Sequence, residues 1–240
     1  RMEVACVGEP SYLPHTAAML HSLLVNGGGH DIRIHVVSDG ELADEDRTRL
    51  ARLVASLGGR ARFHGVPPRD LAPFPAGGFH RAAWLRVLLP QILGDHDRVL
   101  YLDSDLIVTD TLGPLWETDV SRHLLAAVTN PLYPFMPDWP RDVLGLTDRR
   151  MYFNSGVLLM NLTALRAGGS LDRIRRYARS HPDNRCPDQD ALNALFHQSR
   201  LALHPRWNVQ TTLFDLAADR LPFAVADVAE ALAAPAVIHF

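Results

Sequence analysis

Residues 98–102, Arg-Val-Leu-Tyr-Leu, run as an apolar stretch straight into Asp103-Ser104-Asp105. A strand that is apolar at odd and even positions alike must be covered on both faces, the condition met by parallel sheets in α/β proteins. In extended chain, residues i and i+2 project to one side, so Asp103 and Asp105 aim both carboxylates at one point. Two close carboxylates repel unless a cation sits between them. The expectation is a divalent metal site at the C-terminal end of a strand, where open α/β sheets bind ligands.

Spacing alone would not carry that reading. Asp-x-Asp occurs four times, at 44/46, 95/97, 103/105 and 188/190, and chance alone supplies about two such pairs at this aspartate content. Asp44 and Asp46 open an arginine-rich helix, where acids complement the helix dipole, and Asp95 and Asp97 lie in a Gly-Asp-His-Asp turn. Asp103/Asp105 alone ends a buried-type strand. Asp188/Asp190 alone sits among other polar groups, including Gln189 and Asn193.

The flanking sequence supports a layered α/β architecture. A strand over residues 4–7 reaches Gly8-Glu9-Pro10, after which Ser11 is expected to cap a helix carrying Met19, Leu20, Leu23 and Leu24. A second strand over 32–37, a helix marked by Leu50, Leu53, Val54 and Leu57, and a third strand at 62–64 follow. Proline-rich residues 67–78 lead to a helix with Trp84, Val87, Leu88 and Ile92. Strands alternating with helices predict a mostly parallel sheet flanked by helices, in one Rossmann-like domain over residues 1–240. Beyond Asp105 the rhythm changes: a strand at 124–129, a proline- and aromatic-rich loop or flap at 130–140, and a buried-type strand at 151–161 interrupted by Asn154-Ser155-Gly156. Helices are expected near 171–180 and from Pro187, and an apolar strand over 236–240 carries His239.

A net charge of -3 offers no basic field for nucleic acid. No apolar run is long enough to span a bilayer, no signal-peptide pattern is present, and two cysteines are too few for a disulfide framework. These features read as a cytoplasmic protein. All 24 basic residues are arginine, which excludes a phosphate-loop lysine, a Schiff-base lysine or a lysine general base within these residues.

Mg2+ and Mn2+ prefer oxygen-rich shells completed by substrate phosphates and water. Asp103 and Asp105 supply carboxylates, and His239 is either a third ligand, favouring Mn2+, or an ordinary terminal histidine. The Asn154 amide either knits strands together or serves a polyhydroxy ligand. Asp188-Gln189-Asp190 opens a helix, so one acid is explained by capping and the other two polar groups are left for a ligand.

YLDSDLIV, YFNSGVLLMNL, PDQDALN and the terminal IHF, in this order and at these separations, resemble glycosyltransferase family 8, which contains lipopolysaccharide galactosyl- and glucosyltransferases and glycogenin. The resemblance covers nearly the whole chain. It implies a GT-A fold with a smaller acceptor-side excursion, a nucleotide-binding half over 1–105 and a sugar- and acceptor-binding half over 106–240. It further implies Mn2+-dependent transfer of glucose or galactose from a UDP-sugar, with retention, to a glycan, a peptide or protein, or a small molecule. By the same resemblance Asp103, Asp105 and His239 hold the metal, with Mg2+ as the alternative. Val7, Glu9 and Tyr12 flank the uracil, glutamate standing in the usual aspartate's place. Arg86 contacts donor sugar and phosphate, Ser104 belongs to the nucleotide site, and Asn154, Asp188 and Gln189 surround the transferred sugar. Asn130 replaces a common aspartate, and relatives continue past the histidine with glycines and a lysine. A missing C-terminal segment is therefore expected, and with it the route to peripheral membrane association. The rival readings are a non-catalytic UDP-sugar-binding scaffold and, from LYLDSDLIV alone, a haloacid-dehalogenase-type phosphatase.

Overall fold

The computed structural model describes residues 1–75, 81–131 and 138–240. In chain order its strands are β1 (Met2–Val7), β2 (Ile32–Asp39), β3 (Arg60–Val66), β4 (Arg98–Leu102), β5 (Leu106–Val108), β6 (Leu125–Thr129), β7 (Phe153–Asn161), β8 (Arg200–Leu203), β9 (Val209–Gln210) and β10 (Val237–His239). Among the described residues they form a seven-stranded sheet in the order β3-β2-β1-β4-β7-β6-β8 and a three-stranded sheet in the order β5-β10-β9. In the large sheet β7 alone runs against both neighbours, and the other neighbouring pairs are parallel. This is the mostly parallel, helix-flanked sheet of the expected GT-A type.

The core explains why β4 reads as unbroken apolar sequence. Val99 and Tyr101 pack on one face with Trp84, Phe153 and Phe196, while Leu100 and Leu102 pack on the other with Met19, Leu20 and Leu23. Each such side chain fully removed from water contributes about 1.5–3 kcal/mol. The chain passes from β1 outward through β2 to β3, then returns to place β4 on the other side of β1. That reversal opens a crevice beyond the carboxyl ends of β1 and β4, the topological switch point where such sheets take ligands.

Three local expectations change. Ser11 does not cap the first helix; it sits in a 3-10 turn, Pro10–Tyr12, and donates to Glu9 Oε1 at 2.9 Å. The helix Leu13–Val25 starts instead with Pro14 in its first turn, whose fixed φ needs no side-chain cap. The helix expected around Trp84–Ile92 is a 3-10 run, Arg81–Leu88, followed by one α-turn, Leu89–Ile92. Pro90 has no N–H for the Arg86 carbonyl, so a continuous α-ladder cannot pass through it. Trp139 and Pro140, expected in the loop, open the helix Trp139–Leu144, with proline at a position that tolerates it. The remainder of that loop at 132–137, and residues 76–78 of the proline-rich stretch, lie outside the described residues. The three-stranded sheet was not anticipated, since strands of two or three residues show no periodicity to read. No helix among the described residues is long and apolar enough to cross a membrane.

Candidate active site

The crevice is built where β4 ends. Asp103 is tied back to β7 by its backbone N–H, which donates to the Gly156 carbonyl at 2.8 Å. Asp105 leads into β5, and β10 lies antiparallel beside it, pairing His239 with Leu106. That register carries the imidazole to the aspartates: one donor atom from each of Asp103, Asp105 and His239 lies within 4.8 Å of the others. His239 Nε2 is 3.4 Å from Asp105 Oδ1. Its Nδ1 is 2.9 Å from Asn208 Oδ1, an acceptor that orients the ring and turns Nε2 toward the aspartates. Two carboxylates and an imidazole nitrogen turned toward them fit a divalent cation by donor chemistry.

Gly156 makes this convergence sterically feasible. A Cβ there would overlap His239 Cε1 and would stand 2.9 Å from Asp103 Oδ2 and 3.0 Å from Asn154 Oδ1. Only a residue without a side chain fits at the place where β7 passes beneath the cluster.

Arg86 is buried beside the cluster and is the charge that holds it together. Its Nη2 lies 2.9 Å from Asp103 Oδ1 and its Nε 3.1 Å from Asp188 Oδ2. Nη1 donates to the Ser155 carbonyl at 2.7 Å and to Ser155 Oγ at 2.8 Å. The guanidinium carbon sits 4.8 Å above the Tyr101 ring, whose hydroxyl donates to Asp103 Oδ1 at 2.6 Å. Burial opposes the charge on Arg86, but Asp103, Tyr101 and Asp188 overcome it and hold its pKa above the ordinary value.

The contact to Asp188 is electrostatic rather than hydrogen-bonded, because the Arg86 Nε–H donates to the Ala83 carbonyl and Asp188 Oδ2 has no aligned donor. Burial pushes the Asp188 carboxyl above the usual carboxylate range. Arg86 works against that shift, Asp103 adds to it, and the amides of Asp188 and Gln189 at the helix start also oppose it. Burial also opposes the charge on Asp105, yet His239 and a backbone amide outweigh it and hold Asp105 below the usual range.

The structure gathers all seven residues expected around the nucleotide. Val7, Glu9, Tyr12, Arg86, Asp103, Ser104 and Asp105 line one cavity of about 220 Å³. Ser104 has a structural task there: it donates to the Val7 carbonyl at 3.0 Å and accepts from Thr16 Oγ1 at 3.1 Å, tying β1 to the Asp-Ser-Asp turn. A second cavity of about 260 Å³ is lined by Asn154, Gln189 and His239, with Asn130, Gln210 and Thr212.

Asn154 and Gln189 are both engaged. Asn154 Oδ1 accepts from the Gly156 amide and from Asn208 Nδ2, each at 2.8 Å, so the amide braces the site. Gln189 Oε1 accepts from the Ser155 amide at 2.9 Å, and its Nε2 donates to Tyr152 Oη at 2.8 Å. Asp190 is the capping acid of the Asp-Gln-Asp triplet, accepting from the Cys186 amide at 3.2 Å and from Tyr152 Oη at 2.7 Å. Asp188 lines neither cavity and stands behind Arg86. Tyr101, Ser155, Gly156 and Asn208 were missed. Tyr101, Ser155 and Gly156 lie within motifs already singled out but were given no role, whereas nothing local marks Asn208.

The chain matches the model of glycosyl transferase family 8 over residues 3–240. It is 26% identical over 249 residues to general stress protein A of Bacillus subtilis, covering 100% of this chain and 85% of the relative. It is 22% identical to a putative glycosyltransferase of Haemophilus influenzae, spanning 90% of this chain but 65% of that protein. A solved structure of the galactosyltransferase LgtC, in complex with donor and acceptor sugar analogues, superposes with a TM-score of 0.88 at 28% identity, over 100% of this chain and 87% of that one. The structure of the glycosyltransferase GlyE from Streptococcus pneumoniae, at 21% identity and a TM-score of 0.70, shares the fold. A phosphatase built on Asp103 is thereby set aside: with its fold, its Asp-Ser-Asp crevice and its match over residues 3–240, the chain belongs to glycosyl transferase family 8.

Proposed function

We propose that this glycosyltransferase moves glucose or galactose from a UDP-hexose to an acceptor hydroxyl with retention of configuration, dependent on Mn2+ with Mg2+ as the weaker alternative. The observation that carries the proposal is the convergence of Asp103, Asp105 and His239 beside buried Arg86 at the end of β4. Residues 1–105 serve as the nucleotide half and 106–240 as the sugar and acceptor half. Val7, Glu9 and Tyr12, on one wall of the first cavity, take the uracil and ribose.

A divalent cation held by Asp103, Asp105 and His239 would neutralise charge developing on the diphosphate as the glycosidic bond breaks. Arg86, 2.9 Å from Asp103 Oδ1, holds that carboxylate in place as a ligand. Asp188, which stands behind Arg86 with Oδ2 3.1 Å from its Nε, serves the sugar site through that arginine. Gln189 lines the second cavity together with Asn154 and His239. A double displacement would need a nucleophile opposite the leaving group, and an amide carbonyl already accepting from Ser155 is a feeble one. We therefore favour departure and attack on the same face of the sugar, with Gln189 Oε1 stabilising positive charge at the anomeric carbon. The acceptor, whether glycan, peptide or protein, or small molecule, enters past Asn130, Gln210 and Thr212. A cytoplasmic site of action is part of the proposal and agrees with two free thiols, Cys6 and Cys186.

UDP release measured with Mn2+ across UDP-hexoses, with and without sugar acceptors, tests this reading, and NMR of the product anomer tests retention. Turnover should disappear in Asp105→Ala. Undiminished turnover in that variant would overturn the metal assignment, and tight UDP binding without turnover of any UDP-hexose would favour a binding scaffold.

A further inference from the structure

The opposite, amino-terminal end of the large sheet holds a second convergence of ligand-type side chains. Glu3 on β1, His35 on β2 and His96 in the turn before β4 each offer one donor atom within 4.8 Å of the others. His35 is completely buried and Glu3 nearly so. His35 Nε2 lies 2.9 Å and His96 Nε2 3.6 Å from the same oxygen, Glu3 Oε2. Donors about 2.0–2.1 Å from a shared ion stand about 3–3.4 Å apart, so these separations bracket a common ligand sphere.

A hydrogen-bond relay accounts for only part of the cluster. His35 Nδ1 is 3.0 Å from His64 Nε2 on β3, and Glu3 Oε1 is 2.7 Å from Arg1 Nε, which leaves Oε2 to the histidines. His96 is the unexplained member. At 3.6 Å its Nε2 is beyond hydrogen-bond range of Glu3, and its Nδ1 is buried without a partner. A polar ring held there with no hydrogen bond is costly unless something else satisfies it.

We propose that Glu3, His35 and His96 form a zinc site distinct from the Asp103–Asp105–His239 cluster. Two imidazoles and one carboxylate are a donor set suited to Zn2+, with a fourth position for water, whereas two carboxylates and one imidazole suit a harder ion. The fourth position faces a cavity of about 530 Å³ lined by Glu3, His96, Asp95 and Asp97. The aspartates of the Gly-Asp-His-Asp turn, with Glu117, thus place negative charge at its mouth, partly offset by Arg1 and Arg98. His64 would act behind the ligands: with His35 Nε2 on the ion, Nδ1–H donates to His64 Nε2 and fixes the tautomer, as an outer partner of a ligating histidine does. Residues 98–103 separate the two clusters by about 16 Å of extended chain, so this ion clamps β1, β2 and the turn before β4 and touches no substrate.

The test uses protein without a polyhistidine tag, apo after chelation, titrated with Zn2+ in competition with a chromophoric chelator and with Co2+ followed by visible absorption. Wild type should take up one Zn2+ equivalent that His96→Asn loses and Asp105→Ala keeps. His64→Gln should keep that equivalent with about 10–100-fold weaker affinity, and Mn2+-supported turnover of His96→Asn should match wild type. Equal uptake by wild type and His96→Asn, or loss of all uptake in Asp105→Ala, would overturn the proposal and leave the cluster a hydrogen-bond relay.

Discussion

Gly156→Ala is the smallest change that strikes the proposed metal cluster, because the added methyl group lands among three side chains that have little freedom to retreat. The new Cβ would overlap His239 Cε1 and meet Asp103 Oδ2 at 2.9 Å and Asn154 Oδ1 at 3.0 Å. His239 is anchored through Nδ1 to Asn208, and Asp103 is anchored by Tyr101 and Arg86. To restore ordinary contact the imidazole has to move by about 1 Å. Metal sites tolerate ligand displacements of only about 0.2 Å, so the expected damage to cation binding outruns the damage to the fold. Overpacking by one methyl should cost about 1–3 kcal/mol of stability, which for a chain of this size is roughly 2–12 °C in Tm. The Mn2+ concentration for half-maximal UDP release should rise about 10–100-fold. The decisive control is Gly156→Ala in a His239→Ala background: with the ring gone only the contacts to Asp103 Oδ2 and Asn154 Oδ1 remain, and the separate stability penalty of the methyl should shrink. Wild-type Mn2+ dependence in Gly156→Ala, or an undiminished stability penalty in the double variant, would refute this account of the glycine.

Three further outcomes follow from the same geometry. Asn208→Ala removes the partner that orients His239 without touching a ligand, so Mn2+ activation should weaken about 10–100-fold while kcat at saturating Mn2+ stays near wild type; an unchanged activation curve would exclude that role. Arg86→Gln strands Asp103 and Asp188 without their counter-charge and should lose about 3–5 kcal/mol by urea unfolding, with Asp188→Asn in the same chain recovering part of it; additive losses would show that the pair is not coupled through Arg86. The buried Asp188 carboxyl has a pKa raised by burial, so the folded chain binds its proton more tightly than the unfolded one. Its contribution falls as pH rises from the ordinary carboxylate pKa through the raised one. In EDTA, wild type should therefore lose stability relative to Asp188→Asn across that window, and parallel urea midpoints from pH 4 to 7 would contradict the direction.

How far the site could be read in advance depends on whether each contact is local. Asp103 and Asp105 were legible because their strand is apolar on both faces and the two carboxylates share a side, facts carried by eight consecutive residues. Val7 and Glu9 were placed through resemblance, and the parallel pairing of β1 with β4 is what sets them beside Asp103. His239 could be placed only through resemblance, since its approach depends on the pairing of β10 with β5, two strands of three residues each. Asn208 had no signal at all: its role exists only because parallel pairing with β9 brings Gln210 beside His239. The Arg86 run misled for a related reason, since its helical spacing was correct while Pro90 prevented a continuous α-ladder. Short-range periodicity therefore located the ligand end of the sheet, and long-range register decided which distant residues completed it.

Charge at the site argues for the order in which its parts are used. Asp103, Asp105 and Asp188, when ionised, face one guanidinium, Arg86, and His239 is tied through Nδ1 to Asn208. Three carboxylates against one cation leave an excess of two negative charges, the amount one divalent ion removes. Arg86 has little left for phosphate, since its nitrogens face Asp103, Ser155, Asp188 and the Ala83 carbonyl. No lysine lies within residues 1–240. An anionic diphosphate approaching this crevice without a cation would therefore meet repulsion from Asp103 and Asp105 at close range. On the proposed reading the cation is what makes the crevice a diphosphate site, and Arg86 serves it by keeping Asp103 aligned.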